Sequence, residues 1–183
     1  LIIKGYTVGT NAKLYILPYS VEIDPNPVLP TPDPVVVKLP YVEAFAESQG
    51  DFTVEGGAYW SWNSYGYMKA SGYVDGQDLD VETKLVSPII DLTGEKDVYL
   101  NFDHATNYFS SVDILPEQAT VWARVEDGEW EKLSGITYPE KMSWTFVNSG
   151  DIDLSAYVGK KMQLAFVYKS TSAKAGTWEV KNV

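Results

Sequence analysis

The run Met162-Gln-Leu-Ala-Phe-Val-Tyr-Lys169 decides the fold class. Successive side chains of an extended strand point to opposite faces. Met162, Leu164, Phe166 and Tyr168 therefore share one face, and Gln163, Ala165, Val167 and Lys169 the other. Such period-two alternation predicts a half-buried strand. Outward from this run the pattern recurs. Val98, Leu100, Phe102 and His104 alternate against Tyr99, Asn101, Asp103 and Ala105. Val121, Ala123 and Val125 alternate against Thr120, Trp122 and Arg124, and Thr177-Trp-Glu-Val-Lys-Asn-Val183 reads as a closing strand. Asp127-Gly128, Asn148-Ser-Gly150 and Tyr157-Val-Gly159 are turn signals. Asp127-Gly128, placed before Trp130-Glu-Lys-Leu133, predicts a hairpin with a mirror-type turn. Only Ser111–Gln118 and Asp153–Val158 leave room for a short helical turn. Many strands without a long amphipathic helix predict an all-β sandwich or barrel.

The chain divides by composition. Residues 1–17 read as a β-hairpin around Gly9-Thr10-Asn11, too small to bury much alone. Residues 18–40 hold seven of the ten prolines. Proline removes the amide donor and favours polyproline II, so this window reads as a semi-rigid spacer. Residues 41–183 form the main domain. The chain begins at Leu1, already in an apolar pattern, as a piece of a longer protein would.

Composition excludes several chemistries. There is no Cys, so disulfides, thiol catalysis, zinc–thiolate and iron–sulfur sites are ruled out. One His, His104, is the only imidazole base on offer. It shares the strand face of Leu100 and Phe102, which predicts a core histidine. The net charge of -11 argues against a nucleic-acid partner. No apolar run reaches the length of about 18 residues that a membrane span needs. Ser87-Pro88 has no nucleophile-elbow pattern around it, and no phosphate loop is present.

Several segments, in order, resemble one family. Tyr41-Val-Glu-Ala-Phe45 resembles its opening strand. Trp60 and Tyr65-Gly-Tyr-Met-Lys-Ala-Ser-Gly-Tyr73 resemble the section that follows. Thr83-Lys-Leu-Val-Ser-Pro-Ile-Ile-Asp-Leu-Thr-Gly94 resembles its most specific segment. Leu100-Asn-Phe-Asp-His104 and the closing Thr177–Val183 complete the set. Over residues 40–183 the chain resembles the choice-of-anchor J group, related to the cleaved-adhesin domains of secreted and surface proteins of Bacteroidetes. It departs from many members at Asp80-Val-Glu-Thr-Lys84, where they carry a Trp. The resemblance implies a jelly-roll β-sandwich of the galactose-binding-like type, exported to the cell surface or beyond. Residues 1–17 resemble the last hairpin of a preceding OB-like domain.

The implied function is a noncatalytic accessory module that mediates adhesion or contact with glycan or protein. Two alternatives stay open: a specific carbohydrate-binding module using exposed Trp and Tyr, and an accessory part of a secreted hydrolase. The oligomeric state is left open. Sugar rings pack their C–H faces on aromatic rings, and Tyr59-Trp-Ser-Trp-Asn-Ser-Tyr-Gly-Tyr67 is the densest aromatic run. Trp60, Trp62, Asn63, Tyr65 and Tyr108 are the candidate ligand contacts. The same aromatics also suit a core. Relatives hold a structural calcium with acids of the first and last strands, which would here be Glu43 and Glu179, with Asp51. A second calcium candidate is Asp75, Asp78 and Asp80 in one acidic loop. Calcium takes six to eight oxygens, and a solvated acidic loop accounts equally for the second set.

Overall fold

The computed structural model describes residues 34–183. The predicted hairpin and most of the proline-rich spacer lie outside the described residues. The described chain is an all-β sandwich of jelly-roll-like architecture. One sheet has seven strands and the facing sheet five, with two small two-stranded ribbons beside them.

The strand Lys161–Ser170 is the spine of the seven-stranded sheet. It pairs antiparallel with Ala119–Val125 on one side and with Val81–Val86 and Ile89–Asp91 on the other. The predicted alternation holds: Met162, Leu164, Phe166 and Tyr168 all lie in the core. On the outer face, Lys169 pairs with Glu82 at 3.0 Å and Arg124 donates to Gln163. Ala165 and Val167, predicted to face away from the core, are nonetheless buried, because Trp122 and Trp130 lie over them.

The Ser87-Pro88 pair has a mechanical explanation. Two consecutive strands lie end to end along one edge of the spine, and the chain must step between them. Proline has no amide to donate. Ser87 holds the step: its amide donates to the Leu164 carbonyl and its hydroxyl accepts the Leu164 amide, both at 2.9 Å.

The five-stranded sheet runs Ser143–Asn148, Asp103–Asn107, Thr177–Lys181, Tyr67–Ser71 and Trp60–Asn63 in spatial order. Trp178 and Val180 point inward, with the Trp178 ring 5.9 Å from Phe166 and 5.5 Å from Trp60. His104 is a core residue, as its strand face predicts. Its Nε2 faces the Thr137 carbonyl at 2.9 Å, and the Trp178 indole faces its Nδ1 at 3.3 Å. An indole N–H only donates, so Nδ1 must accept, and the ring is neutral with its proton on Nε2.

Four expectations are corrected in detail. Val36–Lys38, read as spacer, pairs in parallel with Ile89–Asp91, so the sheet begins before residue 41. Tyr41–Phe45 is not a regular strand; Glu43 exchanges backbone hydrogen bonds with Val183 only. The run Val98–Ala105 keeps its parity but splits into Tyr99–Leu100 and Asp103–Asn107, which join different sheets. The hairpin after Val125 forms, but it turns on Glu126 in the left-handed region, with Gly128 N–H bonded to the Val125 carbonyl. The two short segments allowed for helix hold single helical turns, at Val112–Ile114 with Leu115–Gln118 and at Ser155–Tyr157.

Tyr168 ties the core to the loop before the closing strand. Its hydroxyl accepts from Gly72 N–H at 2.9 Å and donates to the Gly176 carbonyl at 2.6 Å. A side chain at Gly176 would strike the Phe109 ring, so only glycine lets this loop lie so close. Tyr168→Phe leaves two buried backbone groups unpaired and is expected to cost about 1–3 kcal/mol in chemical denaturation.

Burial holds the His104 pKa below its ordinary value, and the Thr137 contact and Asp103 charge oppose this only in part. The unfolded chain then takes up the proton first. Stability is complete above about pH 6.5 and falls as pH drops below it. Imidazole NMR shifts in the native state check this: His104 stays neutral at pH 6.5, whereas a half-protonated ring at that pH would contradict it.

Candidate functional site

The alternation that sends Trp178 and Val180 inward sends Thr177, Glu179 and Lys181 to the outer face. Glu179 pairs across the sheet with Lys69 and Ala105. On this face larger side chains stand around an open space, which Ala105, itself fully buried, does not line. The result is a groove of about 900 Å³. Its floor carries Lys69, Ser71, Thr177 and Glu179, and its walls are aromatic: Tyr65, Tyr67, Tyr73, Tyr108, Trp144 and Phe146.

Three local devices raise the walls. Asn63 accepts the Tyr65 amide through its side chain, and Gly66 closes the turn onto the Asn63 carbonyl. The Asn side chain thus mimics a backbone turn and presents Tyr65, 86% exposed, at the tip. The Asn107 side chain accepts the amide of the next residue, Tyr108, at 2.8 Å. Tyr108 sits in the left-handed region at φ 63°, a strained place for a bulky residue. Its ring stands edge-on to Trp144, with centroids 5.5 Å apart. The third device is the loop at 171–175. Asp80 accepts the Ser172 amide and Asp78 the Ala175 amide, both at 2.8 Å, which places Lys174 on the rim.

Electrostatically the floor sets a carboxylate, Glu179, within the field of the Lys69 charge. Glu179 is only 5% exposed. Burial raises its pKa above the usual carboxylate range, and the Tyr67 hydroxyl and the Lys69 charge oppose the rise. Tyr67 in turn is raised by burial first and by Glu179 second. Glu179 and Lys69 together offer acceptors and donors at the bottom of an aromatic slot.

No protein-family model matches the sequence, and no curated protein matches it. Solved structures do match it in three dimensions. The fold is similar to that of a cleaved adhesin domain. The K3 cleaved adhesin domain of Lys-gingipain from Porphyromonas gingivalis superposes with a TM-score of 0.52 at 16% identity, covering 79% of this chain and 98% of that one. At that identity the match speaks for the fold alone.

Within this fold the predicted contact residues separate. Tyr65 and Tyr108 line the groove. Trp60 does not: it is 4% exposed and packs on Trp178, because it pairs with core-facing Ala70. It is corrected to a core residue. Trp62, 36% exposed, stands outside the groove and donates to the Phe45 carbonyl at 2.7 Å. Asn63 acts through the turn. Trp144 and Phe146 were not singled out from the sequence, although Trp144, Phe146 and Asn148 alternate visibly.

The predicted calcium ligands are also dispersed. Among the described residues no three His, Asp or Glu side chains assemble as a ligand group. Glu179 belongs to the groove. Glu43 and Asp51 lie together near Tyr41, whose hydroxyl is pushed up to about 12 by burial and then by these two charges. One Glu43 oxygen already accepts the Phe45 amide at 2.7 Å. The carboxylates suit calcium in kind, but two of them supply only part of the six to eight oxygens. In the acidic loop, Asp78 and Asp80 hold backbone amides, and Asp75 is exposed at a left-handed turn.

A buried charge with a raised pKa opposes folding at neutral pH, and its penalty fades as pH falls through the folded pKa. Glu179→Gln keeps an acceptor for Tyr67 and removes the charge. It is expected to raise the denaturation midpoint at pH 7 and to lose that advantage in acid; a lower midpoint at pH 7 would contradict the assignment.

Proposed function

We propose that this domain is a noncatalytic, extracellular adhesion module of the galactose-binding-like jelly-roll type, and that it binds glycan in the groove of the five-stranded sheet. The observation that carries the reading is the pairing of exposed rings with a buried polar floor. Tyr65, Tyr108 and Trp144 offer flat apolar faces to sugar C–H groups. Glu179 and Lys69 offer hydroxyl partners that are already shielded from bulk water. Apolar walls with a few convergent polar groups are the usual make-up of a ligand site, and the volume lies at the upper end of such sites. An oligosaccharide suits that size better than one sugar. The adhesin fold supports an exported, surface-located setting.

The groove does not offer the chemistry of glycoside cleavage. That reaction uses two carboxyl groups on either side of the bond. The second acid of the groove, Asp78, is held by the Ala175 amide at the rim.

A glycan array followed by calorimetry tests the reading. Trp144→Ala and Tyr108→Ala are each expected to weaken binding about tenfold or more, roughly 1.4 kcal/mol or above. Trp62→Ala, outside the groove, is expected to leave affinity within about twofold, a change of under half a kcal/mol. A folded protein that binds no glycan, or equal losses for Trp62 and Trp144, would overturn it.

A further inference from the structure

The ladder between Tyr67–Ser71 and Thr177–Lys181 stops early, and a tyrosine of the facing sheet takes its next rung. In an antiparallel pair, directly bonded residue pairs alternate with unbonded ones. Ser71 stands opposite Thr177 and turns its amide to the Tyr59 carbonyl on its other side, at 3.1 Å. The next pair, Gly72 and Gly176, is therefore the one due to bond directly. Instead, the Gly72 amide donates to the Tyr168 hydroxyl at 2.9 Å, and that hydroxyl donates to the Gly176 carbonyl at 2.6 Å. The Gly72 carbonyl accepts the Leu79 amide at 3.0 Å, and the Leu79 carbonyl accepts the Ser170 hydroxyl at 2.7 Å. Both Gly72 groups that the rung would use are taken, and one hydroxyl oxygen stands between the strands.

Two glycines make room for this insertion. The alternation that turns Ala70 and Trp178 inward places residues 72 and 176 on the core side too. A Cβ on Gly72 would strike the Ser170 side chain, and one on Gly176 would strike the Phe109 ring. Beyond the inserted hydroxyl the two chains part. After Gly72 comes Tyr73, exposed, in a ribbon of Tyr73–Val74 with Gln77–Asp78. Before Gly176 come Lys174 and Ala175. Tyr73, Asp78, Lys174 and Ala175 all line one part of the groove. The Asp78 side chain, which accepts the Ala175 amide, ties the ribbon to the loop at 2.8 Å. Tyr168 spaces the two at their base.

We infer that Tyr168 is a positioning residue of the groove: its hydroxyl, set into the ladder from the facing sheet, fixes the spacing of the walls that Tyr73 and Lys174 supply. The consequence for binding rests on the glycan reading above; the spacing does not. Tyr168 is fully buried on the core side of the sheet and touches no glycan itself. Without its hydroxyl, the Gly72 amide and the Gly176 carbonyl face each other with nothing between them. Drawing together is then their remaining way to pair, and it narrows the groove.

Tyr168→Phe tests this. A crystal structure of the variant without glycan is expected to show a direct hydrogen bond from Gly72 to Gly176, with Tyr73 drawn toward Lys174. Calorimetry uses pentasaccharides of mannose, galactose, glucose and N-acetylglucosamine, at a temperature where both proteins are fully folded. For whichever sugar binds, the variant is expected to bind about tenfold more weakly. In a Tyr73→Ala background the same change is expected to cost under about twofold, because the wall that it positions is gone. A role in stability alone would not depend on Tyr73. The wild-type protein supplies a measurement that needs no variant to fold: by NMR, the Tyr168 hydroxyl proton is expected to exchange slowly and to lie close to the Gly72 amide. Walls that stay in place in the variant, equal losses with and without Tyr73, or a fast-exchanging Tyr168 hydroxyl would overturn the inference and leave the glycan reading intact. Absence of binding to every pentasaccharide would count against the glycan reading alone, and the variant structure and the hydroxyl proton would then decide the inference.

Discussion

One strand carries the whole arrangement: Thr177–Lys181, near the middle of the five-stranded sheet. Alternation is the constraint. Trp178 and Val180 are held in the core against Phe166, Trp60 and His104. Thr177, Glu179 and Lys181 are then forced onto the opposite face. A register slip by one residue would put a carboxylate and a lysine among the core rings and a tryptophan in water. Such a slip is opposed from both neighbours, since the strand is paired on both edges over four or five residues. The site is therefore positioned by the core and not by flexible loops, apart from the aromatic walls that the turns at 63–66 and 107–108 supply.

This arrangement sets stability against function. Glu179 is paired only loosely, by a tyrosine hydroxyl and a nearby lysine, in a place where burial disfavours its charge. A hydrophobic or amide side chain would sit there more comfortably. Retaining a destabilising polar group at a concave surface is the pattern expected of a binding site. The left-handed Tyr108 has the same character. Its ring is exposed, while the residue after it, Phe109, turns into the core against Tyr168.

The sandwich was legible because period two survives local irregularity. Even where Val98–Ala105 broke into two strands, Val98, Leu100, Phe102 and His104 stayed buried. The Ser87-Pro88 segment was legible as a family feature, and its reason became clear only from the spine strand that it serves. The groove was mostly hidden. Its residues come from five separated stretches between residues 65 and 179, and nothing in a linear sequence says which strands become neighbours. Density of aromatics misled at Trp60, because the alternation that made that run attractive also sends its first tryptophan inward. The acids misled for a related reason: Asp78 and Asp80 satisfy loop amides, a role that sequence spacing does not separate from metal binding.

The central claim is that recognition takes place on the outer face of the five-stranded sheet. The six tryptophans report on it separately. In a heteronuclear NMR titration with a binding oligosaccharide, the indole N–H signal of Trp144 is predicted to shift, together with the amides of Tyr67–Ser71 and Thr177–Lys181. The indoles of Trp62, Trp122 and Trp130 are predicted to stay in place. Shifts centred on Trp122 and Trp130, on the outer face of the other sheet, with Trp144 unmoved, would contradict the account.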